Sequence, residues 1–124
     1  MIHLDTNALI ALPRWLALGH ALIDRVAAGE RVGVCSVVWY EYLCGPVIAS
    51  DVERCLDFIE DRIEPLDARH AQLAAELFNQ AGRRRGLRID SLVAATAICS
   101  GAELLTGNVK DFTVFSMRGL KLFA

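Results

Sequence analysis

The chain has 124 residues, with 13 Lys plus Arg against 15 Asp plus Glu and 54% apolar residues. That composition describes one compact globular domain over residues 1–124 and excludes a disordered chain. A formal net charge of −2 gives neither a strongly basic nucleic-acid clamp nor an acidic tail.

The chain opens on Met-Ile-His-Leu-Asp, with no cationic or apolar signal region. No apolar run reaches the ~18 residues of a membrane span, so a cytoplasmic protein with no membrane partner is expected. Cys35, Cys44, Cys55 and Cys99 form no CxxC pair and meet no His at zinc-ligand spacing. They read as reduced core residues.

Short β-type runs fall at Ile2 to Leu4, Arg31 to Val34, Ile63 to Leu66, Glu103 to Leu105 and Leu120 to Phe123, and helical spacing fills the segments between them. After the first run, Trp15, Leu18, Leu22 and Val26 predict one amphipathic helix from Arg14 to Ala28, stopped by Gly29. Ser50 and Glu53 make a capping-box pattern ahead of Val52, Leu56 and Ile59. Asp67 is placed to cap a longer helix carrying Leu73, Leu77, Phe78 and Ala81, with Gly86 as its stop. Ser91 to Ser100 is Ala-rich and apolar nearly all round, as a helix buried against a sheet would be, with Asp90 as its N-cap and Gly101 past its end.

Strands joined by helical crossovers are mostly parallel. The expected fold is therefore a three-layer α/β/α sandwich around a mostly parallel sheet of about five strands. Ligands of such sheets sit beyond the carboxyl ends of the strands. Asp5 follows the first strand, Glu41 lies in the helical stretch after the second, Asp90 opens the buried helix, and Asp111 lies in the loop after Glu103 to Leu105. Four carboxylates facing one cleft would repel one another unless a divalent cation held them. Oxygen ligands select Mg²⁺ or Mn²⁺, and the chemistry such a centre serves is phosphodiester hydrolysis. Each acid also has a plainer role open to it: Asp5 and Asp90 as helix or turn caps, Asp111 as a loop acid, Asn108 as a turn residue. Glu41 sits among Val38, Trp39, Tyr42 and Leu43, where an unpaired carboxylate is costly and a charged partner is expected.

Leu4-Asp5-Thr6-Asn7, Glu41 within Tyr40-Glu41-Tyr42-Leu43-Cys44-Gly45, the block Ile89-Asp90-Ser91-Leu92-Val93-Ala94-Ala95-Thr96-Ala97, and Leu105-Thr106-Gly107-Asn108-Val109-Lys110-Asp111-Phe112 together resemble the PIN-domain family. The resemblance is nearest to the VapC-type toxins of bacterial toxin–antitoxin pairs, and it runs from Asp5 to Phe112 with the motifs in order. It implies a Mg²⁺- or Mn²⁺-dependent endoribonuclease of a type II pair, held inactive by a cognate DNA-binding antitoxin and forming a homodimer. Asp5, Glu41 and Asp90 match the family's three constant acids. The fourth position falls on Asn108 or Asp111, with Asp111 as metal ligand and Asn108 as polar support. Glu41 is either a metal ligand or the group that orients and deprotonates the attacking water.

Thr6, Asn7 and Thr106 offer short polar side chains that either orient the carboxylates or serve turns and caps. Arg84, Arg85 and Arg88, in the dense run that begins at Arg83, either hold RNA phosphates or form a solvated helix end. Trp39 reads as core. Trp15 with Leu16, Leu18 and Leu22 is a candidate groove for an antitoxin helix. His3 reads as a packed strand residue, and His20 and His70 as surface positions.

Two other functions compete with the nuclease. One is a degenerate PIN-like module that binds RNA or protein without chemistry. The other is a receiver-type signalling domain, which would want an acidic pair where Asp5 is followed by Thr6 and Asn7. Neither GxGxxG nor GxxxxGK[ST] occurs in the chain, which sets aside Rossmann and P-loop nucleotide binding.

Overall fold

The computed structural model describes residues 1–124. In chain order the elements are β1 (Ile2–Leu4), α1 (Thr6–Leu18), α2 (Ala21–Ala27), β2 (Val32–Cys35), α3 (Ser36–Cys44), α4 (Ala49–Ile59) and β3 (Ile63–Glu64). There follow α5 (Ala68–Gln80), a 3₁₀ turn at Arg85–Leu87, α6 (Arg88–Cys99), β4 (Glu103–Leu105), α7 (Val109–Ser116) and β5 (Lys121–Leu122). The five strands form one sheet in the order β3-β2-β1-β4-β5, parallel throughout, with Ile2 opposite Val32 on one side of β1 and Leu4 opposite Leu105 on the other. This is the expected α/β/α sandwich. All five strands lie within a residue or two of the runs read from the sequence.

Parallel strands are buried on both faces and so read as continuous apolar runs. Ile2, Leu4, Val32, Val34 and Leu104 are all at most 2% exposed. Helix α6 owes its position against the sheet to small side chains: Ala94, Ala95 and Ala97 are fully buried, and the absence of bulk there brings its axis close to β4 and β2. Phe112 and Phe115 on α7 are fully buried and meet edge to face, filling the space beside α6.

Several local expectations are corrected. The helix expected from Arg14 to Ala28 is two helices, because Gly19 adopts φ 92° and His20 is extended, a pair of conformations no continuous helix contains. His20 then caps α2, its Nδ1 accepting from the Leu22 amide while its ring stacks on Trp15 at 3.9 Å. Helix α1 starts earlier than expected and runs through Pro13. A proline there cannot donate to the carbonyl of Leu9, and the buried Cys55 thiol donates to that oxygen instead at 3.7 Å.

The Ser50–Glu53 capping box does not form. Ile48 holds the N-cap of α4 without a side-chain bond, and Ser50 lies inside the first turn. Asp67 does cap α5, but its reciprocal partner is His70, whose Nδ1 accepts from the Asp67 amide. That role draws His70 into the interior, where it is 1% exposed with Nε2 unpartnered, contrary to the surface position expected. Helix α5 stops at Gln80, ahead of Gly82 at φ 88°, rather than at Gly86. Asp90 is not an N-cap: Leu87 holds that position and Asp90 lies in the first turn of α6. Asp111 lies in the first turn of α7 rather than in a loop.

His3 is packed within β1 as expected. Burial, reinforced by the N-terminal amino group and by His70, pushes its pKa down to about 4. All four cysteines are free thiols, and Cys44 is exposed rather than in the core. No helix is long and apolar enough to cross a membrane.

Candidate active site

Parallel topology brings the residues that follow each strand to one edge, and Asp5 stands at the middle of it, just past central β1. Its amide donates to Leu105 O at 3.0 Å, which extends the β1–β4 ladder by one rung. Its side chain is held by two short hydrogen bonds and by a longer one that Asn7 Nδ2 donates to Oδ2 at 3.5 Å. Oδ1 accepts from the Thr6 amide at 2.9 Å, and Oδ2 accepts from Thr106 Oγ1 at 2.8 Å. Asp5 thus does serve as the N-cap of α1, and one oxygen suffices for it.

The neighbouring polar residues bind the two halves of the site together. Thr6 Oγ1 donates to Glu41 Oε1 at 3.1 Å, fixing the carboxylate that α3 projects. Asn7 Oδ1 accepts from the Gly107 amide at 2.7 Å. A Cβ on Gly107 would come within 3.4 Å of that Asn7 side chain, so glycine lets the two loops close. Thr106 Oγ1 also accepts from the Asn108 amide at 3.0 Å. Thr6, Asn7 and Thr106 are therefore engaged with the acids and with the loop after β4.

Asp5, Thr6, Asn7, Glu41, Asp90 and Asn108 line one open cleft of about 260 Å³, with Ile10 at its wall. Asp111 is exposed and opens onto a separate depression of about 320 Å³ that it shares with Arg84, Gly86 and Leu87. The cleft thus takes Asn108 directly, while Asp111 reaches it through its charge. Ile10, 65% exposed, was absent from the sequence expectations. Its signal is its place four residues after Thr6, on the same face of a helix that the sequence did not show beginning there.

None of the four acids has an ion-pair partner. The consequence appears at Asp90. Partial burial, then the charges of Asp5, Asp111 and Glu41, raise its pKa to about 6. No three His, Cys, Asp or Glu side chains converge into a ready-made metal site. The chemistry of the donor set nonetheless suits a small hard cation: every polar atom facing the cleft is oxygen or an amide, the acids are in excess, and no Lys or Arg satisfies them.

The arginine run divides. Arg83 Nε donates to Asn79 Oδ1 at 3.2 Å, Arg88 lies over the Phe78 ring at 5.7 Å, and Arg84 alone faces the depression beside Asp111. Trp39 packs half-buried against the core beside Tyr42. Leu22 is fully buried, so of the proposed α1 groove only Leu16 and Leu18 are exposed.

A five-stranded parallel sandwich with an acidic cleft at the carboxyl edge of its central strand defines a PIN-like α/β domain. Residues 2–114 match the PIN domain family, and the chain belongs to that family. The sheet order also sets aside the receiver-type reading, in which β1 would lie between β2 and β3 rather than between β2 and β4. No curated protein matches the sequence.

Among solved structures, the chain is similar to VapBC2 from Rickettsia felis bound to a promoter DNA fragment, at 25% identity and TM-score 0.70, covering 99% of this chain and 98% of that one. It is similar to FitAcB from Neisseria gonorrhoeae at 18% identity and TM-score 0.72, covering 100% and 97%. VapBC-1 from nontypeable Haemophilus influenzae follows at 20% identity and TM-score 0.64, covering 99% and 97%. The likeness to VapC-type PIN proteins read from the four motifs accords with these neighbours.

Proposed function

We propose that this PIN domain is the toxin of a type II toxin–antitoxin pair and a Mg²⁺- or Mn²⁺-dependent endoribonuclease. One observation carries the reading: Asp5, Glu41 and Asp90, from separate segments, line one cleft without a cation, Asp111 stands nearby, and partial burial followed by the charges of the other acids raises Asp90 to about 6. A fold gains nothing in stability from such a cluster, so its use is to hold positive charge. Asp5 and Asp90, with Glu41 and Asp111 beside them, would hold the metal. When bound, the metal would supply Lewis-acid stabilisation of the charge that develops on the phosphate.

The side chains do the rest. Glu41, held by Thr6, either joins the ligands or orients a water and takes its proton. The water oxygen forms a bond to phosphorus as the bond from phosphorus to the leaving ribose oxygen breaks, and that oxygen takes a proton from solvent. Thr106 and Thr6 fix Asp5, and Asn7 and Asn108 hold the loop that closes the cleft. A cognate DNA-binding antitoxin as partner is supported by the likeness to VapBC and FitAB complexes. A homodimer follows from the resemblance, and light scattering of the purified chain tests it, a clean monomer counting against it.

The deciding experiment incubates antitoxin-free protein with structured RNA in Mg²⁺ or Mn²⁺, with and without EDTA, beside Asp5→Asn and Asp90→Asn. Cleavage that needs metal and disappears in both variants is expected. Cleavage surviving both substitutions overturns the assignment. A catalytically inert RNA- or protein-binding module is the second reading, favoured by the side chains that stop short of a formed metal site, and it predicts binding without cleavage in the same experiment.

A further inference from the structure

Two further depressions lie near the acidic cleft. On one side it shares Ile10 and Glu41 with an apolar groove that continues to Pro13, Tyr42 and Val47. On the other, the cleft residue Asn108 lies one helical turn before Asp111, whose amide donates to Asn108 O at 3.0 Å, and Asp111 lines a separate depression with Arg84, Gly86 and Leu87. The acids therefore lie in an open cleft with an apolar groove on one side and the Arg84 depression near the other.

The depression beside Asp111 holds a cation with no other task. Arg84 makes no ion pair and no side-chain hydrogen bond, whereas Arg83 is bound to Asn79 and Arg88 is seated on Phe78; Arg85 is equally unpaired but does not line the depression, which Arg84 does. The local backbone sets it there. Gly82 at φ 88° and Arg83 at φ 57° reverse the chain after α5. Arg84 is then extended, and the 3₁₀ turn behind it is anchored by buried Leu87, whose amide donates to Arg84 O at 2.9 Å. A Cβ on Gly86 would meet nothing within 4 Å, so the depression beside Arg84 is open to a ligand.

We propose that Arg84 binds a backbone phosphate flanking the one that is cleaved, which makes the substrate a strand that extends past the cleft on the Asp111 side. The inference rests on the nuclease reading for the identity of the central phosphate. Its own content is narrower: one arginine of the run, not the run as a whole, contacts the strand. A guanidinium suits a phosphate better than any other group on this rim, since it offers paired N–H donors to two oxygens. Asp111 beside it limits binding of a free anion, so a strand already anchored at the cleft is the favoured occupant.

Binding of a fluorescent decauridylate is measured by anisotropy in EDTA across a salt series, for the full chain and for Arg84→Ala, Arg84→Lys, Arg85→Ala, Arg88→Ala and Gly86→Phe. Arg84→Ala is expected to weaken binding about tenfold and to reduce the salt slope by about 0.7, the share of one phosphate contact on a single strand. Arg84→Lys keeps the slope and loses part of the affinity. Gly86→Phe weakens binding by filling the depression with no change in charge, and the other two alanine variants change it less than twofold. Equal losses from Arg84→Ala, Arg85→Ala and Arg88→Ala would mean diffuse charge and overturn the proposal. So would unchanged RNA binding accompanied by a weakened antitoxin complex, which would make Arg84 a protein contact.

In Mg²⁺, Arg84→Ala should raise KM for the decamer while leaving kcat/KM for the single-phosphate UpU unchanged. Loss of decamer binding in a protein that cleaves nothing overturns the nuclease reading and leaves the phosphate contact standing. Cleavage abolished by Asp90→Asn but indifferent to Arg84 overturns the contact alone.

Discussion

Thr106 donates its hydroxyl to Asp5 Oδ2 at 2.8 Å across 101 positions of sequence. Both residues are buried, and each stands one step beyond its strand, β1 or β4, in register with the other. The bond decides which way the Asp5 carboxylate points, because the Thr6 amide already occupies Oδ1. Thr106→Val keeps the volume and deletes the donor. It should lower RNA cleavage by about 10- to 100-fold, the usual cost of losing a residue that orients a metal ligand, while Thr106→Ser retains most of it. Activity equal to wild type in Thr106→Val, measured beside its melting curve, would remove Thr106 from the site.

Four acids without cations make the metal-free protein less stable than its core permits. Millimolar Mg²⁺ or Mn²⁺ should raise the Tm by several degrees, since a ligand that binds only the folded chain stabilises it by mass action. Asp90→Asn should raise the Tm of the metal-free protein and shrink the metal-induced rise. Differential scanning fluorimetry with and without EDTA reads both, and a Tm indifferent to metal in the wild-type chain speaks against the centre.

Two groups make stability depend on pH, with opposite signs. His3 has a folded pKa of about 4 against 6.5 ordinarily, so the unfolded chain takes the proton first. Its contribution, on the order of 3 kcal/mol, is present above pH 6.5 and is lost as pH falls toward 4. Asp90 is raised from 3.8 to about 6, so its folded form takes the proton first and gains stability as pH falls through 6. Between pH 7 and pH 4 the two contributions are of similar size and oppose each other, so His3→Gln should leave stability rising as pH falls and Asp90→Asn should leave it falling, as chemical denaturation reads. A His3→Gln variant with the wild-type slope would contradict the assignment.

Gly19 tests the broken helix. At φ 92° and ψ 151° it occupies a region that other residues enter at a cost of about 1–3 kcal/mol. Gly19→Ala should therefore destabilise the protein by that amount in urea unfolding. Were the segment one continuous helix, the same substitution would stabilise it.

Strand positions and sheet type were legible because parallel strands must be apolar on both faces, and the runs ending at Leu4, Val34 and Leu105 carry that mark without help from anything distant. The places of Asp5, just past β1, and of Asp90 and Asp111, in the first turns of α6 and α7, follow the same directional logic, whereas Glu41 lies mid-helix in α3. Helix ends were less so. Asp67 was found, but its partner His70 was placed at the surface, because a histidine in the third helical position does not announce that its ring will turn inward to accept a backbone proton. Pro13 hid the start of α1, since the thiol that takes over the freed Leu9 carbonyl comes from Cys55, 46 residues away.

The sequence by itself determined that this is an α/β chain with acids at its strand ends, because burial and strand direction are written in local patterns. Only the tertiary structure decided which of those acids share a cleft, that Asn108 stands in it while Asp111 shares a depression with Arg84, and that Arg84 alone of the run lines that depression. Those outcomes depend on where α6 and α7 pack, with Ala94, Ala97, Phe112 and Phe115 in one core with residues far from them in sequence, and no local pattern encodes it.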